Sequence, residues 1–327
     1  MKAAKPILAV EGLNRIFTRS AGLLKRDQRM HAVHDLTLAL QEGETLGIVG
    51  ESGCGKSTLA RMLVGLDRPS SGVIRLDGKP IEGGSRELAR QIQYVFQDPV
   101  ASLNPRKTIG QILEAPLLHL GDMDKTARRQ RIDTLLDAVG LNREQLQRYP
   151  HEFSGGQAQR IGIARALAPQ PRILVLDEPV SALDVSIQAQ ILQLLKALKQ
   201  EFALSYLFIS HDLSVVESIS DRVGVMYFGK LVELAGARTL FSRPAHPYTE
   251  LLISSAPSIR KSADEGDPDA TPQELPDPYA PPPGCSFAAR CPSASERCRQ
   301  QAPPLAPCEH EAGHSCACWH PAGCRSG

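Results

Sequence analysis

Net charge is almost missing from this chain: 37 Lys and Arg stand against 36 Asp and Glu, leaving +1 over 327 residues. That balance argues against the strongly basic class of nucleic-acid binders. Long apolar runs are missing too. None approaches the ~18 residues that span a bilayer, and nothing near the first residue resembles a secretory leader, so any membrane role is expected to run through partners. Cysteine is nearly absent before residue 285, where Cys54 is the single case; the other seven lie between Cys285 and Cys324. Against these absences stands an ordinary apolar content of 42%. The length suits a large core, with two domains or one domain plus appendages.

The most informative stretch is Gly50-Glu51-Ser52-Gly53-Cys54-Gly55-Lys56-Ser57-Thr58, which fits G-x-x-x-x-G-K-[S/T]. Residues 44–49 before it read as a short buried strand, and residues 58–66 after it have helical spacing. Strand, glycine-rich loop and helix start together make a phosphate-binding loop, where bare amides and the helix N-terminus cradle anionic oxygens. Lys56 is expected to reach the β and γ phosphates and the Ser57 hydroxyl to ligate Mg²⁺. Cys54 occupies a position that accepts any small residue and is assigned no redox role.

Along the chain, residues 7–17 and 36–40 alternate as half-buried strands do. Residues 18–34 read as a polar loop or hairpin whose Lys25, Arg26 and Arg29 form a solvated face or, less simply, a lipid contact. Short strands are expected at 73–76, 92–96, 173–176, 206–209 and 223–226. Helical patterns cover 109–140, 161–167 and 187–202. Alternating strands and helices call for a mainly parallel sheet covered on both faces. The run at 109–140 predicts a small helical subdomain inserted in that α/β core. Composition shifts after residue 256: 13 of the 25 prolines lie from Pro257 onward, and residues 261–280 read as a linker.

Residues 173–178 form an apolar strand ending in two acids. Such a strand delivers carboxylates to its C-terminal edge, where open α/β sheets bind ligands. Asp177 is expected to hold Mg²⁺ and Glu178 to polarise an attacking water. Phe153-Ser154-Gly155-Gly156-Gln157, followed by Gln159-Arg160, closely resembles the signature of the ATP-binding-cassette (ABC) ATPases. The one departure is Phe153 where leucine is commoner. Other parts of that family follow in order: Gln97 ends a strand as the Q-loop glutamine does, Ser181-Ala182-Leu183-Asp184 matches the D-loop, and His211 matches the switch histidine. The resemblance spans residues 7 to about 226. It implies that Gln97 contacts Mg²⁺ or water, that His211 contacts the γ-phosphate, and that Phe17 lies under adenine, although Phe17 could equally be core filler. It also implies two cassettes packed head to tail, so that Ser154, Gly155, Gly156 and Gln157 act on a neighbour's nucleotide. In residue terms Ser154-Gly155-Gly156 before a helix is itself an anion cradle.

Arg148-Tyr149-Pro150-His151 and His246-Pro247-Tyr248-Thr249 resemble the ATPase subunits of dipeptide and oligopeptide permeases, as does the cysteine tail. A cytosolic ATP site sets that tail in a reducing compartment, so metal is expected before disulfides. Soft thiolates from a loop-like tail suit iron–sulfur or zinc, or remain unliganded. The resemblance implies a four-iron cluster on Cys285, Cys291, Cys298 and Cys316, with Cys318 the rival for the last place. The expected organisation is an ABC domain over 1–256 with its helical subdomain at about 98–168, a linker over 257–283 and a Cys-rich extension over 284–327. The implied function is the ATP-hydrolysing motor of a peptide importer, peripheral on the cytoplasmic face of the inner membrane. Its implied partners are a second cassette (a paralogue before a copy of itself), two integral membrane permease subunits and an extracytoplasmic solute-binding protein, with no nucleic acid. Rival readings are an importer of nickel or another small solute, and a soluble ABC ATPase acting on ribosomes or DNA.

Overall fold

The computed structural model describes residues 5–19, 28–81, 84–255, 276–308 and 313–322. Twelve strands are found among them: β1 Leu8–Arg19, β2 Gln28–Leu40, β3 Thr45–Val49, β4 Ser71–Leu76, β5 Lys79–Pro80, β6 Ile92–Val95, β7 Ile173–Asp177, β8 Ser205–Ile209, β9 Arg222–Tyr227, β10 Lys230–Gly236, β11 Ala306–Pro307 and β12 Ser315–Cys316. The helices are α1 Lys56–Leu63, α2 Arg86–Gln91, α3 Ile109–Leu120, α4 Lys125–Val139, α5 Gly155–Leu167, α6 Val185–Glu201, α7 Leu213–Ile219, α8 Ala237–Ser242, α9 Pro247–Ser255 and α10 Glu296–Gln300.

Two sheets carry the chain. Strands β2-β1-β4-β5 form an antiparallel sheet, and a larger sheet runs β11-β12-β10-β9-β3-β8-β7-β6. Its β9, β3, β8, β7 and β6 are mutually parallel, whereas β10, β12 and β11 extend the sheet beyond β9, each antiparallel to its neighbour. Every residue of β3, β7 and β8 is buried. Strands covered on both faces need no polar side, which is why these segments read as continuous apolar runs. One buried core joins the antiparallel sheet to α1 and one face of the parallel strands through residues such as Leu8, Leu36, Leu59 and Ile209. A second lies on the other face and runs through Leu113, Leu135, Ile161, Leu195 and Phe208. The long connection from β6 to β7 carries α3, α4 and α5, which pack on one another.

Two expectations sharpen. Residues 28–34, read as part of a loop or hairpin, are the start of β2, whose Phe17↔Met30 and Ile16↔His31 pairings make it the second arm of an antiparallel pair with β1. Arg29 therefore sits on a strand, while Lys25 and Arg26 lie outside the described residues, as does most of the expected linker. The cysteine-rich tail is also stitched into the main sheet, since β12 pairs with β10 through Glu233↔Cys316 and Leu234↔Ser315.

The anchor of that junction is Glu233, with no exposed surface. Its carboxylate accepts from the Ala245 and His246 backbone N–H groups at 2.8 and 2.9 Å and lies 2.8 Å from His314 Nε2. A buried carboxylate survives in the fold only with such partners. Beside it, burial pushes the His246 imidazole down to about 4, against a weaker upward pull from Glu233. The folded chain thus keeps His246 neutral where the unfolded chain, with an ordinary value of 6.5, takes up a proton. The stability this carries is complete above the unfolded value and drains away as pH falls from there toward the folded value. Denaturant unfolding between neutral pH and about pH 4 is expected to show a loss on the order of 3 kcal/mol from this group. His246→Asn, which keeps an acceptor for the Tyr248 N–H, should flatten that part of the profile.

Candidate active site

The loop between β3 and α1 works as its sequence requires. Gly55 has φ 105 and a Cβ there would stand 2.2 Å from the Ala32 carbonyl oxygen, so only glycine closes this turn against β2. Lys56 is buried, and its Nζ donates to the carbonyls of Gly50 at 2.7 Å and Glu51 at 2.9 Å. The ammonium is held inside the ring of the loop, aimed where phosphate oxygens would enter. Cys54 is buried beside it, and burial pushes its thiol up, which keeps it unreactive.

The carboxyl ends of the parallel strands bring the second half of the site to the same place. Ser57 Oγ donates to Asp177 Oδ1 at 3.2 Å, and the Tyr94 hydroxyl donates to Asp177 Oδ2 at 2.5 Å. Burial, followed by that bond to Asp177, raises the Tyr94 phenol well above its ordinary range, so it stays a donor. Glu178 follows directly, with φ 48. A left-handed glutamate costs roughly 1 kcal/mol and marks a side chain turned for a purpose. Gln97 Nε2 donates to its Oε2 at 2.9 Å, and His211 Nδ1 stands 3.1 Å from its Oε1. The two residues grip one carboxylate from the ends of β6 and β8.

These groups border one cavity of about 680 Å³, lined by Ser52, Gly53, Gly55, Lys56, Ser57, Thr58, Gln97, Glu178 and His211 together with residues of β2 and the β9–β10 turn. Its size suits a nucleotide. Hydroxyl and carboxylate oxygens meeting at Ser57 and Asp177 are the hard donors that suit Mg²⁺. Phe17 does not line the cavity; it pairs across the strand with Met30, which does, and the Arg15 guanidinium lies 4.4 Å from its ring centroid.

Ser154, Gly155, Gly156, Gln157 and Asp184 lie away from this cavity. Ser154 caps α5: the Gln157 N–H donates to its Oγ at 3.4 Å, and the Ser154 N–H in turn donates to Gln157 Oε1 at 3.1 Å. A Cβ on Gly156 would meet Ile187 of α6 at 2.6 Å, so the glycine pair is also what lets α5 lie against the Asp184 turn. Ser154 and Gly155 remain exposed.

In the tail, Cys285, Cys291, Cys298 and Cys318 line one small cavity with His246, Trp319 and His320. Cys316 is outside it, buried on β12 and hydrogen-bonded to Cys318. Cys324 lies outside the described residues. Among the described residues no three or more of these side chains converge on the position of a single ion.

Sequence reasoning missed Tyr94, since one tyrosine in an apolar strand carries no signal of a carboxylate beside it. It also missed Met30, His31 and Ala32, which reach the cavity because β2 is longer than its alternation implied, and Pro278, which enters from the tail.

Residues 33–181 match the ABC transporter family model, and residues 232–298 match the model described as the oligopeptide/dipeptide transporter C-terminal region. The chain is 47% identical over 304 residues to the di/tripeptide transport ATP-binding protein DppF of Pseudomonas aeruginosa, covering 91% of this chain and 94% of that one. It is 49% identical to the oligopeptide transport ATP-binding protein AppF of Bacillus subtilis, covering 91% and 92%. With the dipeptide transport ATP-binding protein DppF of Haemophilus influenzae it shares 45% over 98% of both chains. Among solved structures it resembles a dimeric post-hydrolysis state of the ATP-binding cassette MJ0796 bound to ADP and Pi, with TM-score 0.62 and 29% identity over 71% of this chain and 99% of that one.

Removing the Tyr94 hydroxyl tests the expectation that Asp177 is a Mg²⁺ ligand oriented by its partner. Tyr94→Phe is expected to raise the Mg²⁺ concentration for half-maximal ATP hydrolysis about tenfold, as loss of a ligand's outer partner does. An unchanged Mg²⁺ titration would mean that Asp177 needs no such partner.

Proposed function

Because the chain belongs to the ABC transporter ATPases, we propose that it is the ATP-hydrolysing motor subunit of an importer for dipeptides or oligopeptides. The observation that carries this reading is the Glu178 carboxylate, gripped by Gln97 and His211 at the edge of a cavity also lined by Lys56 and by Ser57, whose hydroxyl donates to Asp177 behind it. Lys56 and the loop amides bind and orient the β and γ phosphates. Ser57 and Asp177 are the residues that would hold Mg²⁺, which neutralises charge on the transferring phosphoryl group when bound. Glu178 takes the proton of the attacking water, and Gln97 and His211 keep its free lone pair turned to the γ-phosphate side.

The exposed Ser154-Gly155-Gly156 surface supports action on a neighbouring cassette, with Gln157 fixing its helix cap and Asp184 beside it; the dimeric state named for the similar cassette fits this. A hydroxyl, bare amides and a helix N-terminus supply anion-stabilising charge only when the second subunit closes, which excludes water as well. We read residues about 98–168 as the helical subdomain that passes closure to membrane partners, residues 257–283 as a linker, and 284–327 as the Cys-rich extension. Two integral membrane permease subunits, a paralogous cassette and an extracytoplasmic solute-binding protein complete the assembly. Among the described residues no helix is long and apolar enough to cross a membrane, so attachment to the cytoplasmic face would be through those subunits. The names of the relatives favour peptides over nickel, ribosomes or DNA.

For the tail we propose an iron–sulfur cluster on Cys285, Cys291, Cys298 and Cys318. The support is compositional: four thiols line one small cavity, beside His246 and His320, and soft thiolates are the usual donors to iron–sulfur groups.

Glu178→Gln is expected to keep ATP binding within about threefold while slowing hydrolysis at least ~100-fold; a variant that hydrolyses at the parent rate removes Glu178 as the base. After anaerobic purification, iron and acid-labile sulfide should be lost from Cys318→Ser and retained by Cys316→Ser. The reverse pattern would return the fourth ligand to Cys316.

A further inference from the structure

In the phosphate loop, the N–H, the carbonyl and the carboxylate of Glu51 all have partners, the carbonyl taking the Cys54 N–H at 3.3 Å as well as Lys56. Its N–H donates to the Tyr248 hydroxyl oxygen of α9 at 2.9 Å, and its carbonyl accepts from Lys56 Nζ at 2.9 Å. Its carboxylate takes a two-pronged bond from Arg290, with Nη1 to Oε2 and Nη2 to Oε1 both at 2.9 Å. Paired planar groups of this kind fix angle as well as distance. The pair is largely shielded, with the arginine side chain 15% exposed and the glutamate 28%.

Arg290 belongs to the cysteine-rich tail. It immediately precedes Cys291, and both Cys285 and Cys291 line the thiol cavity. Its guanidinium lies 5.8 and 5.6 Å from the ring centroids of Tyr227 and Phe287. Those rings pack with Tyr248, at 4.5 Å for Tyr227 and 5.4 Å for Phe287. One packed aromatic cluster thus holds both side chains that hold Glu51. A second, separate contact points the same way: Pro278, at the head of the tail, lines the nucleotide cavity.

We infer that Arg290 is a positioning residue for the phosphate loop, through which the cysteine module and the nucleotide site each set the other's stability. It touches no substrate. It restrains Glu51, whose carbonyl in turn receives the Lys56 ammonium, so loss of the fork loosens the loop before phosphate arrives. Coupling of this sort is reciprocal: if an ordered module favours nucleotide, bound nucleotide must order the module by the same factor. The inference rests on the phosphate loop being the ATP site and needs no metal at the cysteines.

The test uses the full chain, the fluorescent nucleotide mant-ATP, and amide hydrogen exchange over residues 285–298. Arg290→Met is expected to weaken mant-ATP binding about tenfold, within the usual span of such couplings, and to change the turnover number at saturating ATP less than twofold. Glu51→Gln should weaken binding similarly, and the double variant should cost no more than either alone, as residues acting through each other do. Arg290→Lys, which keeps the charge without the fork, should recover part of the loss. ATP should slow exchange over 285–298 in the parent chain and leave it unchanged in Arg290→Met. The inference fails if Arg290→Met binds mant-ATP within twofold of the parent. It fails equally, without any variant, if ATP leaves exchange over 285–298 unchanged in the parent. A parent chain that does not bind mant-ATP at all would instead remove the nucleotide reading, and this inference with it.

Discussion

The hydrogen bond from Ser57 Oγ to Asp177 Oδ1 is the contact on which the rest of the molecule depends. It joins residues 120 positions apart, and it exists because β3 and β7 flank β8 in parallel register. Parallel strands end together, so the loop after β3, the acids after β7, the glutamine after β6 and the histidine after β8 all arrive at one edge. A slip of one residue in β7 would turn Asp177 to the opposite face and bury its carboxylate among side chains of the core. Uniform burial of β3, β7 and β8 removes any polar face that could stabilise such a slip.

The parts of this arrangement that could be read from sequence are those with local causes. A phosphate loop needs glycine at a left-handed turn, which Gly55 satisfies at φ 105. Buried strands need unbroken apolar runs, and residues 173–176 have one. What escaped depended on partners far along the chain. β10 and β12 carry weak patterns of their own and exist because Glu233 and Cys316 pair across 83 positions. Tyr94 looks like core in sequence and becomes an orienting group only once Asp177 lies across from it. Pro278 reads as linker, and its place at the nucleotide cavity follows from the tail's return to the sheet. Phe17, expected under adenine, does not line the cavity, whereas its strand partner Met30 does.

Spacing could not choose between Cys316 and Cys318 for a related reason. Two residues apart, they differ by where a very short strand stops. Cys316 is committed to β12 and the Glu233 register, and the Ala317 N–H still bonds to the Val232 carbonyl at 2.8 Å. Past that bond the chain leaves the sheet, and Cys318 lines the cavity shared with Cys285, Cys291 and Cys298. The tail is therefore no appendage in the mechanical sense. Its buried His314 and its strand β12 both bind β10, and its Arg290 binds the phosphate loop.

This integration bears on how the site divides its labour. Lys56 donates to the Gly50 and Glu51 carbonyls and lies beside Cys54 Sγ, so the loop is closed on its own cation. Glu178 is different. It sits at φ 48, its N–H bonded to the Ile209 carbonyl, and its carboxylate is held by side chains from two other segments, Gln97 and His211. Gln97 opens the connection that carries α3, α4 and α5, so a shift of those helices reaches the carboxylate through a single hydrogen bond. His211 is 60% exposed, which leaves its imidazole free to exchange the glutamate for another acceptor. Under the proposed roles, binding falls to the half of the site closed by loop backbone, and the chemical step to the half whose side chains come from neighbouring elements.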